Sequence, residues 1–435
     1  MRETRHSKLV ATALCAAAMM GIGACTNADS AGKESTEGTA AATAGDSTGV
    51  TADTIRIGWP TLDQETLVQA GLATDFGDID TLAQKMVADW NAADGINGRR
   101  VELVKRTFGT DIANLLPDMQ RLCLELTEDE KVFATAAIAW FGDAVTCLAG
   151  DHDTPLLDQS SLSQSVLETG NGNIFLANLM WEDALRSAVR VVDETGELDS
   201  FEKIGVFGPL EPGMRDAIDN GLAPALKEAG AGPAVDGTIP FAVPADNAAI
   251  AAVVSRFKSE KVDAVFATGN FYFNGAFMTE AERQSYRPTY VMSDLSEGTD
   301  DLILKFAPAS QLANAIGASW KGKPPEPLPS AEAKACVAKY APTAGASVTK
   351  QIGAAQTCEL MNLLRRGLEG AGDAPTRESF IKAMEGLDDV TTSGGGKGGF
   401  TADDHTLPDQ VRLVRFDLKG CKCWASDGDW INVNG

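Results

Sequence analysis

Histidine is scarce in this chain, because His6, His152 and His405 are the only three in 435 residues. None of them has a second histidine at the spacing of a zinc site, and we interpret His152 and His405 as surface or turn residues. The sequence also has no Gly-x-Ser-x-Gly elbow, no phosphate-binding loop and no evident pair of nucleophile and base. These absences argue against an enzyme, and we predict neither a metal nor a cofactor.

Positive charge is in short supply as well. The 37 Lys and Arg residues face 61 Asp and Glu residues, which leaves a net charge of -24. A nucleic-acid-binding surface must be basic, so the composition excludes nucleic acid as a partner. It also excludes adsorption to an anionic membrane without a lipid anchor.

Long apolar runs are missing apart from residues 9–20, which are too few to span a bilayer and follow a basic leader. This run ends in Ile22-Gly23-Ala24-Cys25, which resembles the lipobox of bacterial lipoproteins. The resemblance implies that residues 1–24 are a signal peptide and that Cys25 is lipidated. The alternative is an ordinary secretory signal in which Cys25 is incidental. Residues 25–52 are rich in Ala, Gly, Ser and Thr, which predicts a flexible tether.

Strand and helix patterns alternate from Thr54 onward. Short buried-type strands, such as residues 132–137 and 262–267, are separated by segments with apolar residues at helical spacing. Repeated strand–helix units predict an α/β fold with mostly parallel sheets that are covered by helices on both faces. A second series begins near residue 180, so the chain repeats one architecture twice.

The segment from Trp90 to Leu103 predicts a helix end, a tight turn and a new strand. Gly95 stands where a left-handed residue closes a helix, and Asn97-Gly98 is a turn dipeptide. The segment resembles the helix–turn–strand signature of periplasmic binding proteins of the branched-chain amino acid type, with Asp94 in place of the first of two glycines. The turn at residues 400–405 resembles the closing segment of the same family.

The resemblance implies a two-lobed type I periplasmic-binding-protein fold with a three-strand hinge. We assign residues 53–177 and about 295–385 to lobe 1, and residues 178–294 and about 386–435 to lobe 2. The implied function is that of an exported, monomeric receptor on the outer face of the cytoplasmic membrane. It delivers a small solute to an ABC permease by hinge closure. A sensory lipoprotein that presents its ligand to a membrane receptor is the alternative.

Open α/β sheets bind ligands at the carboxyl ends of their strands, which gives the candidate ligand-binding residues. Hydroxyl groups there could donate to a carboxylate, an acid could hold an ammonium group, and aromatic rings could cover an apolar moiety. The alternatives are core packing for each aromatic residue and helix capping for each serine. The candidates are Thr61, Ala139, Trp140, Phe141, Ser160, Ser161, Glu211, Phe271, Tyr272, Asn274 and Asp294.

The family's amino-acid receptors place a small hydroxyl residue after the third strand, where this chain has Ala139-Trp140-Phe141. The difference puts an α-amino acid ligand in doubt and leaves amides and small aromatic or apolar carboxylates open. We expect truncation of Trp140 to weaken ligand binding without changing the melting temperature of the unliganded protein.

Six cysteines remain in the exported chain after Cys15 is removed with the signal peptide and Cys25 is lipidated. The resemblance implies a bridge between Cys123 and Cys147, and Cys336–Cys358 is the next pairing that we favour. Cys421 and Cys423 then pair with each other, or one of them pairs with Cys336 or Cys358. No histidine lies near Cys421-Lys422-Cys423, which argues against a metal there.

Overall fold

The computed structural model describes residues 45–69, 75–109, 114–242, 244–345 and 347–433. The predicted signal peptide, Cys25 and most of the tether lie outside these residues. The compact body begins at Gly45, so residues 45–52 are a correction to the predicted tether. They are held by the body: the Asp46 carbonyl accepts from the Arg377 N–H at 2.7 Å, and the Gly49 carbonyl accepts from the Arg56 N–H at 2.9 Å.

Two main sheets organise the body. The five-stranded sheet is parallel throughout, in the order β2-β1-β3-β4-β5. The seven-stranded sheet has the order β16-β15-β12-β11-β10-β6-β8, in which only the pairs formed by β15 are antiparallel. Two short ribbons, β7-β9 and β13-β14, complete the pairing. The strands are β1 Thr54–Leu62, β2 Arg100–Phe108, β3 Ala134–Ala137, β4 Leu156–Asp158, β5 Ile174–Leu176, β6 Ile204–Phe207, β7 Pro209–Leu210, β8 Val235–Asp236, β9 Ile239–Pro240, β10 Ala264–Ala267, β11 Thr289–Ser293, β12 Ile316–Ser319, β13 Val390–Thr391, β14 Lys397–Gly398, β15 Gln410–Asp417 and β16 Cys423–Asn432.

Helices separate these strands along the chain. They are α1 Gln64–Gln69, α2 Ile79–Ala92, α3 Leu115–Leu124, α4 Asp143–Val145, α5 Gln164–Thr169, α6 Trp181–Glu194, α7 Met214–Ala217, α8 Ala223–Glu228, α9 Asn247–Glu260, α10 Phe271–Arg283, α11 Ala331–Tyr340, α12 Val348–Gly370 and α13 Arg377–Met384. Short π-helical segments continue α3, α4 and α7 at Glu125–Asp129, Thr146–Asp151 and Ile218–Leu222. Short 3₁₀ segments lie at Leu198–Ser200, Leu295–Glu297, Asp301–Lys305, Ala309–Leu312 and Pro342–Ala344. Within the described part of the chain, none of the helices combines the length and the apolar character needed to cross a bilayer.

Each main sheet is packed between two layers of helices. One face of the five-stranded sheet packs against α2, α11, α12 and α13, and the other packs against α3 and α4. The seven-stranded sheet is covered by α6, α7 and α8 on one face and by α9 and α10 on the other. Burial of both faces is the reason that the strands are short apolar runs without polar alternation. The predicted α/β class is confirmed.

The turn between α2 and β2 has the predicted geometry. Asp94, Gly95, Asn97 and Gly98 all have positive φ angles, and a Cβ on Gly95 would lie 2.0 Å from the Arg99 carbonyl oxygen. Only glycine fits such an approach. The Asn97 side-chain amide donates to the Leu368, Glu369 and Gly372 carbonyls at 3.0–3.1 Å, so this turn also caps the end of α12.

The chain passes between the two sheets three times, at residues 177–180, 320–330 and 385–409. Strand β12 lies inside the range 295–385 that we assigned to lobe 1, yet it pairs with β11 and β15 of the seven-stranded sheet. The second crossing therefore follows Ser319 and does not follow Asp294. The apolar segment Ile316–Ser319 is too short for sequence periodicity to show which sheet it joins.

The cysteines lie in three pairs at disulfide distance. The Cα–Cα distances are 6.3 Å for Cys123–Cys147, 6.2 Å for Cys336–Cys358 and 5.2 Å for Cys421–Cys423, all within the normal range. The first two pairings agree with the prediction. Of the alternatives for the last two cysteines, the structure has the one in which they pair with each other.

Candidate ligand-binding site

The first rim of the candidate site consists of residues 138–142 and 159–163, which follow β3 and β4. Its two segments are joined through Ser160, whose hydroxyl accepts from the Trp140 backbone N–H at 3.0 Å. The Ser160 hydroxyl and backbone N–H both donate to Asp158 Oδ1, at 3.1 and 3.0 Å. The Trp140 N–H and both Ser160 donors are therefore already used within the protein, whereas the Ser161 hydroxyl has no partner among the described residues.

Acceptors are left over on the same rim. Asp158 Oδ2, Gln159 Oε1 and the Ser161 hydroxyl oxygen are buried and have no hydrogen-bond partner among the described residues. The Gln159 amide nitrogen donates to the Gln356 carbonyl at 2.6 Å, which fixes the side chain. Burial raises the pKa of Asp158 to about 7, against the lowering effect of its hydrogen bonds with Ser160. Buried acceptors without partners indicate a place where another molecule can bind.

Trp140 packs in the core of the first lobe and does not line an open surface. Its side chain is fully buried, its ring meets Phe108 edge-on at 5.6 Å, and its Nε1–H donates to the Ala144 carbonyl at 3.0 Å. This placement favours the core-packing alternative, because both N–H groups already have partners. Ala139 and Phe141 beside it are half-buried, and Phe141 packs against the same core.

Thr61 lies within β1 and not in a loop after it, and it is buried. The strand is longer than its predicted extent, which was residues 54–58. Trp59 of this strand is also buried and donates from Nε1 to Asp80 at 2.8 Å. The end of β1 therefore contributes packing and a helix contact, and Thr61 is separated from the leftover acceptors of the first rim by β3 in the strand order.

The second rim consists of residues 208–213, 268–270 and 294–300, which follow β6, β10 and β11. These segments lie side by side at two glycines. A Cβ on Gly269 would lie 3.1 Å from Pro209, and a Cβ on Gly298 would lie 3.7 Å from the Gly269 carbonyl oxygen. The close approach brings residues that are far apart in sequence to one edge of the seven-stranded sheet.

Glu211 is the acid of the second rim that lacks compensation. Its residue surface is half-buried, and no hydrogen bond or ion pair to its carboxylate occurs among the described residues. Burial alone raises the pKa of this carboxyl to about 7. An uncompensated carboxylate is a group that a ligand ammonium could pair with, as the sequence predicted for Glu211.

Asp294 has a different role from the predicted one. It is buried, Ser319 Oγ donates to its Oδ2 at 2.6 Å, and Thr299 donates to its Oδ1. The backbone N–H groups of Trp320 and Lys321 also donate to Oδ2, at 2.9 and 3.0 Å.

The Lys323 ammonium lies 3.3 Å from Asp294 Oδ1. Although burial opposes ionisation, Lys323, Lys321 and the hydrogen bonds lower the pKa of Asp294 to about 2. The carboxylate holds the second connector in place, and its lone pairs are too fully used for it to bind a ligand ammonium.

The predicted residues after β10 form the first turn of α10. Asn270 caps this helix, because its Oδ1 accepts from the N–H groups of Tyr272 and Phe273 at 3.0 and 3.2 Å. Phe271 is buried and stacks on Phe306 at 5.6 Å. Tyr272 is half-buried, with its hydroxyl accepting from the Ala245 N–H at 3.3 Å. Asn274 is buried and donates to the Gly269 carbonyl, while its Oδ1 has no partner among the described residues.

The two rims meet beside the first connector. A Cβ on Gly213 of the second rim would lie 2.0 Å from Ser163 Oγ of the first rim. The Gln164 N–H, directly after the first rim, donates to the buried Glu182 carboxylate of α6 at 3.0 Å. Glu211 therefore lies two residues from a contact between the rims.

Asn178 joins two connectors to the first rim. Its amide nitrogen donates to the Gln159 carbonyl at 2.7 Å, and its Oδ1 accepts from the Trp320 indole N–H. The sequence predicts a crossover near Asn178 but does not indicate the partners of its side chain or a role for Trp320. A buried Asn at the predicted crossover was the available signal, but its partner lies 142 residues away along the chain.

Comparisons with known proteins agree with this architecture. A family model described as periplasmic binding protein matches residues 54–422. The chain belongs to this family. Membership implies an extracytoplasmic location, a small-molecule ligand and an ABC permease as partner, and the family consists of binding proteins and not of enzymes. No curated protein sequence matches the chain.

Solved structures similar to this family member share its fold at low sequence identity. The branched-chain amino acid transporter substrate-binding protein of Streptococcus pneumoniae, solved with isoleucine, is 18% identical with a TM-score of 0.62, covering 86% of this chain and 99% of that one. The fatty acid ABC transporter substrate-binding protein of Thermomonospora curvata is 16% identical with a TM-score of 0.66, covering 89% and 94%. A solute-binding protein of Rhodopseudomonas palustris HaA2, solved with p-hydroxybenzoic acid, is 15% identical with a TM-score of 0.67, covering 88% and 98%.

Proposed function

We propose that this periplasmic binding protein is an exported receptor that binds a small organic solute between its two rims and delivers it to an ABC permease. The observation that carries the proposal is a set of polar atoms without hydrogen-bond partners among the described residues. They belong to Gln159 and Ser161 on the first rim and to Asp158 and Asn274 beside the rims, together with the carboxylate of Glu211. Polar groups that remain unpaired cost free energy unless a bound molecule or water satisfies them.

Hinge closure is the proposed mechanism. Three connectors join the two sheets, so the sheets can approach each other about these segments while each keeps its own core. A ligand that contacts both rims binds the closed form more tightly, and this differential affinity shifts the population toward closure. The permease then recognises the closed, liganded form.

A screen of small solutes tests the receptor function. We expect one chemical class among amines, amino acids, amides, aromatic acids and fatty acids to raise the melting temperature of the mature protein, because ligands stabilise the state that binds them. Small-angle X-ray scattering should show a smaller radius of gyration with the same class. A complete panel without any thermal or scattering change would contradict the receptor function.

We further propose that the mature protein is a monomer anchored by lipid on Cys25, on the outer face of the cytoplasmic membrane. The lipobox-like sequence before Cys25 supports the anchor. Metabolic labelling with a fatty-acid analogue should mark the protein, and Cys25→Ala should abolish the label and release the protein from the membrane fraction. Light scattering of the soluble body should give the mass of one chain. Retained labelling in the variant, or a dimer mass, would contradict the respective proposal.

A further inference from the structure

The two rims differ from ordinary protein surface in carrying no basic residue. The segments 138–142, 159–163, 208–213, 268–270 and 294–300 contain neither Lys nor Arg, whereas they contain Glu211, Asp294, Glu297 and Asp300. A surface of this kind offers a bound anion no charge partner. It produces a negative potential that favours cations.

Two lysines near the second rim act on its acids. Arg412 of β15 also acts on Asp294; its guanidinium lies 4.7 Å over the Trp430 ring, and its Nε and Nη2 have no hydrogen-bond partner among the described residues. Lys323 of the second connector pairs with Asp294 and donates to the Thr299 carbonyl at 2.9 Å. Lys321 lies close enough to Asp294 and Glu297 to favour the ionised form of both, although burial still raises the pKa of Glu297 to about 7. Among the described residues no base acts on Glu211 in this way.

Several hydrogen-bond donors of the rims are bound within the protein in the same way. The Trp140 N–H and both Ser160 donors are bound within the first rim. In the second rim, the N–H groups that begin α10 are taken by Asn270 Oδ1. A carboxylate needs several such donors when no cation is present, and of the buried, unpaired side-chain atoms described at the rims the Ser161 hydroxyl alone can donate.

Acceptors, in contrast, remain without partners on and beside the two rims, as far as the described residues show. Asp158 Oδ2 and Gln159 Oε1 belong to residues that are at least 94% buried, and Asn274 Oδ1 belongs to one that is 99% buried. Each needs a donor from another molecule to recover its lost hydration. An ammonium group supplies three donors and a positive charge, and it satisfies acceptors and Glu211 together.

We infer that the ligand is an organic cation, a primary amine without a carboxylate, whose ammonium group pairs with Glu211 and donates to the unpaired acceptors of the rims. This inference rests on the proposed receptor function and narrows its ligand class. It differs from the isoleucine and p-hydroxybenzoic acid in the similar solved structures, each of which carries a carboxyl group. The half-buried rings of Phe141 and Tyr272 offer apolar surface for the rest of the molecule.

Matched probe pairs test the charge of the ligand on the unmodified protein. We expect 2-phenylethylamine or hexylamine to raise the melting temperature and to bind in calorimetry at pH 8. Their counterparts 3-phenylpropionate and hexanoate, and the amino acids phenylalanine and leucine, should bind at least tenfold more weakly. Binding by carboxylates or amino acids in preference to the amines overturns the inference and leaves the receptor function standing. A panel in which no solute of any class binds overturns both.

Two variants test the role of Glu211. Glu211→Gln keeps the shape and removes the charge, and we expect it to weaken the amine at least tenfold while the unliganded melting temperature stays within a few degrees. Glu228→Gln removes an exposed acid of α8 in the same lobe and should bind the amine like the parent protein. Equal amine affinity in Glu211→Gln and the parent protein overturns the inference. If Glu211→Gln fails to fold, amine affinity of the parent protein is measured at rising salt concentration. An affinity that does not change with ionic strength overturns the inference.

Discussion

Asp158 ends strand β4 and Asp294 directly follows strand β11, one beside each rim, and both are almost completely buried. Burial raises the pKa of Asp158 to about 7, whereas partners hold the pKa of Asp294 at about 2. Asp158 receives two hydrogen bonds from Ser160 on one oxygen and none on the other. Asp294 receives four hydrogen bonds and an ammonium ion from Lys323. The two carboxyl groups are about equally buried, yet their pKa values shift in opposite directions. The reason is that protein groups replace the lost water around Asp294 but not around Asp158.

The difference separates two roles at the rims. A carboxylate whose lone pairs are all used fixes its surroundings, as Asp294 fixes the start of the second connector. A carboxylate with one unpaired oxygen can still accept a hydrogen bond from a ligand, as Asp158 can beside Gln159 and Ser161. From the sequence, Glu211 and Asp294 were the acids that could hold a ligand ammonium, and Asp158 was not considered; the hydrogen bonds of Asp294 favour Glu211 for that role.

The largest effect on stability should come from Trp140, whose backbone N–H donates to the Ser160 hydroxyl. Trp140→Ala should lower the free energy of unfolding of the unliganded protein by about 4 kcal/mol, because it leaves a large cavity in a closed core. Denaturant unfolding measures this loss, and Phe141→Ala in the same loop is the control, with an effect less than half as large. An unchanged unfolding midpoint with lost ligand binding would restore the original ligand-contact interpretation of Trp140.

The second effect concerns the saturated carboxylate. Asp294→Asn should cost about 3 kcal/mol at pH 7, because it leaves the buried Lys323 ammonium without its counter-charge. In the parent protein the folded-state pKa is depressed, so this contribution is present above pH 4 and is lost as the pH falls toward 2, amounting to about 2 kcal/mol.

The double variant Asp294→Asn/Lys323→Met provides the control in the same unfolding experiment. It removes both charges, so it should recover part of the stability lost in Asp294→Asn. A double variant that is less stable than the sum of the two single variants predicts would contradict the pairing of Asp294 with Lys323.

The smallest effect should have the opposite sign. The pKa of Asp158 is higher in the folded protein than in the unfolded chain. Between about pH 4 and pH 7 the carboxyl group therefore ionises in the unfolded chain but stays protonated in the folded protein, and the free energy of unfolding falls as the pH rises. Asp158→Asn removes the cost of ionising a buried carboxyl group and should stabilise the unliganded protein by about 1 kcal/mol at pH 8. The gain is smaller than that cost because the buried amide nitrogen of the new side chain also lacks a partner. Unfolding curves at pH 5 and pH 8 measure the change. A loss of stability at pH 8 would show that the ionised carboxylate has a partner.

Much of the fold could be predicted from particular residues. The positive φ angles at Gly95 and Gly98 and the apolar strand β3, which was predicted over residues 132–137 and runs over Ala134–Ala137, follow from local rules that act within a few residues. The site could be predicted only in outline, since its rims bring together residues 158–161, 211 and 274. Which of these side chains have partners depends on contacts such as Gln159 with Gln356, which are remote in sequence.

The amino-acid sequence by itself determined the alternation of strands and helices, the acidic charge and the resemblance of residues 90–103 to its family, because each depends on composition or on near neighbours. The pairing of Cys123 with Cys147 was implied by that resemblance. Tertiary structure alone decided that β12 joins the seven-stranded sheet, that Trp140 is core and that Asp294 is saturated while Glu211 is not. The physical reason is that burial and hydrogen-bond partners are set by distant segments, and a carboxylate's pKa and availability follow from those partners and not from its place in the chain.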